Sequence, residues 1–64
     1  MTKIRRGGYV FITWKGDHDP LHVHVFKNGK EILKWNLESN VIMSGKLTHN
    51  LQKLIDQLVR EKKL

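Results

Sequence analysis

The chain has no cysteine among its 64 residues. Disulfide staples and thiolate zinc sites are therefore both excluded. Proline occurs once and aromatic residues make up only 8%, concentrated in the first 35 positions. No apolar run approaches the roughly 18 residues that a bilayer-spanning helix needs, so no membrane partner is expected. Arg5 and Arg6 near the start are not followed by an apolar stretch, so the N-terminus does not read as a secretory signal. A cytoplasmic location is the expectation. Acidic residues are the other scarcity, with six Asp/Glu against twelve Lys/Arg and a net charge of +6. So large an excess on so short a chain creates a field that attracts polyanions, nucleic acid first and acidic protein second. A domain of this length buries only about 60% of its unfolded surface and is marginally stable, so a partner subunit or ligand could supply what its core lacks.

What is present reads as a single α+β domain over residues 1–64. Residues 1–6 form a basic arm, and Gly7-Gly8 is a turn signal. Residues 9–14, Tyr-Val-Phe-Ile-Thr-Trp, are β-branched and aromatic and read as a strand. Residues 15–20 hold Gly16, Asp17, Asp19 and Pro20 and read as a loop. Residues 21–26 alternate histidine with apolar residues as a second strand. Asn28-Gly29 is a hairpin signal, and residues 31–37 complete the third strand. Val41, Ile42 and Met43 would add a fourth strand if they pair. The sheet thus spans 8–43 as an antiparallel array of three or four strands. Leu51, Leu54, Ile55, Leu58 and Val59 recur at the spacing of one helical face, so residues 48–63 read as a C-terminal amphipathic helix covering one sheet face. Thr48 is its N-cap, and Arg60, Lys62 and Lys63 complement its dipole.

The hairpin register decides which side chains face outward. A two-residue loop at Asn28-Gly29 pairs Val25 with Ile32 and Val23 with Lys34, which puts a lysine among core valines. A three-residue loop, Lys27-Asn28-Gly29, pairs Val23 with Leu33 and Leu21 with Trp35, and gives Gly29 the left-handed position of a bulge. Apolar segregation favours the second register, although it sets Glu31 beside Val25. His22, His24 and Phe26 then share the opposite face with Lys30, Ile32 and Lys34. If the first hairpin pairs Trp14 with Leu21, then Tyr9, Phe11 and Thr13 join them. Trp14 and Trp35 read as core.

The working site is expected in the segment 17–24, Asp-His-Asp-Pro-Leu-His-Val-His. His22 and His24 point the same way with Cα atoms roughly 6.6 Å apart by strand rise. They could share a metal with an oxygen from Asp17 or Asp19, or sit as surface histidines beside Phe11 or Phe26. A metal-free chemistry also fits, because histidine suits both proton roles of RNA cleavage and a cation stabilises the developing phosphate charge. His22, His24 and His18 are the candidate catalytic residues, with no cofactor or metal assigned. Arg5, Arg6, Lys30 and Lys34 are candidate phosphate contacts, and Tyr9 and Phe11 candidate base-stacking platforms. The third reading is a binding surface for a protein partner or a homodimer. Asp17, Asp19 and Pro20 read equally as turn residues.

The stretch 17–25, with His18, Pro20, His22 and His24, resembles the signature of a bacterial family known as domain of unknown function 4160. Gly8-Tyr9, Trp35 and the C-terminal helix stand in matching order. The resemblance covers about residues 4–63. It implies the toxin of a type II toxin–antitoxin pair, with a cognate antitoxin as partner, and it points to His18, Pro20, His22 and His24. Leu21 departs from the pattern, since many members have a second proline there. A weaker likeness, of architecture alone, is to mRNA-interferase toxins of the HicA type. Histidine-triad nucleotide hydrolases need a third alternating histidine, where this chain has Phe26.

Overall fold

In the computed structural model, which describes residues 2–14 and 21–64, the chain forms an α+β domain. Five strands precede one helix: β1 (Thr2–Arg6), β2 (Tyr9–Thr13), β3 (His22–Lys27), β4 (Lys30–Asn36), β5 (Val41–Gly45) and α1 (His49–Arg60). The strands form one antiparallel meander in chain order. The expected class and C-terminal helix hold, but the sheet has five strands rather than three or four. The basic arm is the extra one. Gly7 and Gly8 both take positive φ, 61° and 84°, and this two-residue turn folds residues 2–6 back onto β2. Val41 to Gly45 supplies the fifth.

One face of the sheet carries Phe11, Val23, Val25, Leu33 and Trp35, which are buried with Leu51, Ile55 and Leu58 of α1. The helix is capped as its sequence requires: the Thr48 hydroxyl accepts the Leu51 amide at 3.2 Å. Its core face is the leucine–isoleucine stripe, while Val59, expected in that stripe, is 45% exposed.

The β3–β4 hairpin corrects the expected register. Its turn is the two-residue Asn28-Gly29, with φ of 53° and 78°, as the right-handed twist of paired strands demands. Phe26 pairs with Glu31 and Val25 with Leu33, so Ile32 is an extra residue in a bulge. The bulge resolves both conflicts seen in the sequence. It keeps Val23 opposite Trp35 and Lys34 opposite His24. It also turns Glu31 away from the core and lets Ile32 pack against it. A second register shift, between Lys34 and Trp35, leaves Met43 of β5 unpaired with β4.

Candidate functional site on the open sheet face

The single helix covers one side of the sheet. Alternation along the strands places Val10, Ile12, His22, His24, Phe26 and Lys34 on the other side. Lys3 and Arg5 join them, paired with Ile12 and Val10. Across the strands runs a row of Lys3, Ile12, His24, Lys34 and Ser44. His24 thus has a lysine directly across the β3–β4 pair and a second lysine two strands away on the other side.

His24 is held by contacts on several sides. Its Nδ1 lies 2.9 Å from Glu31 Oε1 and 3.3 Å from Oε2. An ionised carboxylate can only accept, so Nδ1 donates, and the neutral ring then carries its lone pair on Nε2. The His24 ring meets Trp14 edge-on at 4.7 Å between centroids and His22 at 4.8 Å. Packing leaves the His24 side chain 16% exposed, against 37% for Glu31. The arrangement is a carboxylate, two adjacent imidazoles and two cations on a partly apolar surface. Chemically it can orient a base, hold a second proton carrier beside it and attract an anion.

The other expected contacts divide between the two sides. Arg5 and Lys34 are on the histidine face. Phe11 is not: it pairs with Val25 and is fully buried beneath α1, so its ring has no surface on which to stack a base. Tyr9 follows it to the helix side, with ring centroids 6.3 Å apart, and carries Lys27 Nζ over its own ring at 5.2 Å. Lys30 pairs with Lys27 in that hairpin, apart from the histidines. Arg6 also faces the helix side, where its Nη1 donates to Glu61 Oε2 at 2.7 Å. This bond raises the arginine pKa and holds the Glu61 carboxyl below its ordinary value. Trp14, expected in the core, is 40% exposed at the end of β2. Two members of the site were missed from sequence, Trp14 and Glu31. The parity of Trp14 with Val10 and Ile12 was a usable signal. The position of Glu31 depended on the bulge.

His18, Asp17, Asp19 and Pro20 lie outside the described residues. Among the described residues no group of three or more His, Asp or Glu could hold a metal, and no helix is long and apolar enough to cross a membrane.

A family model described as Domain of unknown function (DUF4160) matches residues 7–63. The chain belongs to this family. The DUF4160 match runs from the β1–β2 turn through the helix, and so contains the whole His22–His24–Glu31 cluster while leaving β1 outside it. No curated protein and no solved structure matches the chain.

Proposed function

We propose that this chain is a small toxin of a bacterial type II toxin–antitoxin module, and that it binds and cleaves RNA on its histidine-bearing sheet face. The observation that carries this reading is the Glu31 carboxylate 2.9 Å from His24 Nδ1, beside the ring of His22. A carboxylate in that position fixes the tautomer and orientation of the imidazole, as a positioned general base requires. In the proposed step His24 Nε2 takes the proton of a ribose 2′-hydroxyl. The 2′-oxygen attacks the adjacent phosphorus, forming a 2′,3′-cyclic phosphate. The 5′-oxygen leaves with a proton from the His22 imidazolium. Lys34 stabilises the charge on the phosphoryl oxygens, while Lys3 and Arg5 track flanking phosphates. Phe26 and Trp14 offer rings for unstacked bases.

The test uses purified protein, end-labelled single-stranded RNA and excess chelator, alongside induced expression in growing cells. The wild type is expected to yield fragments with 2′,3′-cyclic phosphate ends and to arrest growth. The His22→Ala/His24→Ala variant should remain folded and do neither. Intact RNA and normal growth with well-folded wild-type protein would remove the proposal.

A second reading, a non-enzymatic domain that binds a protein on the same face, is favoured by the exposure of Trp14 (40%) at its end. Salt dependence separates the two, because phosphate contacts weaken steeply with salt and an aromatic protein interface does not.

A further inference from the structure

The two edges of the sheet formed by the described residues, β1 and β5, are guarded differently. β1 carries Lys3, Arg5 and Arg6 in five residues, and charge on an edge strand discourages further pairing. β5 is Val-Ile-Met-Ser-Gly, with no charge and no proline, and every one of its residues is exposed. Val41 is 52%, Ile42 47% and Met43 39% exposed. Among the described residues β4 is its only neighbour in the sheet, so its outer row of backbone groups is a template for another strand.

We propose that β5 is a homodimerisation edge, pairing antiparallel with β5 of a second copy to join two sheets into one of ten strands. Charge selects a second copy on this edge and no other. Each copy carries +6, so contact between copies must avoid juxtaposed cations. A β1-to-β1 contact would bring the arginines and lysine of both copies together, whereas β5 to β5 brings none. A β1-to-β5 contact is head-to-tail and leaves an edge open at each end, while β5 to β5 closes about a twofold axis.

The flanks of β5 are complementary as well. Glu38 precedes Ile42 by as many positions as Lys46 follows it. A pairing with Ile42 at the twofold axis therefore sets the Glu38 turn of each copy alongside Lys46 of the other. Among the described residues neither Glu38 nor Lys46 makes an ion pair within the chain. A 64-residue domain is also of the size that gains most from association. With the axis perpendicular to the sheet, both histidine faces lie on the same side of the dimer. The pairing stands whether or not RNA is the ligand.

Sedimentation analysis at tens of micromolar tests it. The wild type is expected at twice the 7.6 kDa of the chain. Val41→Lys/Ile42→Lys should return the single mass with unchanged circular dichroism. Val59→Lys, a charge placed on the exposed side of the helix, should keep the doubled mass. A wild type at single mass throughout, or a folded double variant at doubled mass, would overturn the proposal. If the double variant does not fold, hydrogen exchange of the wild type decides. Protection confined to residues 41–45 that rises with protein concentration supports the edge, and concentration-independent exchange there overturns it.

Discussion

At the scale of single residues, Glu31 and Phe11 separate catalysis from folding. If His24 is the general base, His24→Ala lowers the cleavage rate by about 10²–10⁴-fold, the usual contribution of positioned proton transfer. Glu31→Gln keeps the size of the side chain but replaces the carboxylate that accepts from His24 Nδ1, so it should lower the rate by less than His24→Ala. Neither change should move the melting temperature by more than a few degrees, because both side chains lie on the face that the helix leaves uncovered and neither is part of the buried core. Single-turnover cleavage assays and thermal denaturation on the same preparations check this pair. Equal rates for Glu31→Gln and wild type would remove the carboxylate from the mechanism. Phe11→Ala acts by another route. It empties a fully buried aromatic site and should cost about 3–5 kcal/mol. A small domain has little more than that in total, so chemical denaturation should find this variant largely unfolded. Any loss of RNA binding in Phe11→Ala then follows from lost packing between sheet and helix.

At the scale of elements, the two irregularities of β4 and β5 decide where the site is. Gly45 has φ of 88°, and a Cβ there would collide with the Ile32 carbonyl oxygen. Gly8 has φ of 84° with nothing within 4 Å of an added Cβ. Gly8→Ala should therefore cost only the left-handed backbone penalty of about 1–2 kcal/mol, and Gly45→Ala more. With roughly 4–8 °C of melting temperature per kcal/mol in a domain of this size, calorimetry should rank the two plainly. Gly45 matters because it closes β5 against the bulge at Ile32, which sends Glu31 to His24. That bulge is the step that could not be read from alternation alone. Period-two patterning marks faces correctly only while the ladder is unbroken, and an inserted residue reverses the parity beyond it. The elements with strong local chemistry were legible: Asn28-Gly29 as a turn, Thr48 as a cap, and Leu51, Ile55 and Leu58 as the core stripe. The outward direction of His22 and His24 followed from Val23 and Val25 between them. β1 was hidden because Ile4 is its only apolar residue and three cations surround it, so its pairing rests on the Gly7-Gly8 turn. Phe11 was assigned to the wrong face because the expected Trp14–Leu21 pairing sets the opposite parity from the observed Phe11–Val25 pair.

At the scale of the whole molecule, charge divides the surface and ties its ends together. Lys3, Arg5 and Lys34 serve the histidine face, while Arg6 is spent on Glu61 at the end of the helix. If RNA lies on the histidine face, removing one of its three cations should reduce the slope of log affinity against log salt by about 0.7, the increment for one phosphate contact on a single strand. Arg6→Ala should leave that slope unchanged, and binding titrations over a salt series check both. Arg6 has a different effect, on acid stability. Its hydrogen bond, with help from Lys63 at 3.3 Å, holds the folded Glu61 carboxyl below the ordinary 4.5. A carboxyl with a depressed folded pKa binds fewer protons folded than unfolded, so its stabilisation is fully present above the unfolded value and disappears as pH falls through the folded one. Wild type should therefore melt above Glu61→Gln at pH 7. The gap should begin to close near pH 4.5 and vanish at lower pH. The rising positive charge at acid pH destabilises both proteins alike, so the difference between their melting curves isolates this contact. A gap that stays constant from neutral to strongly acid pH would mean that β1 is not held to the helix end by this ion pair.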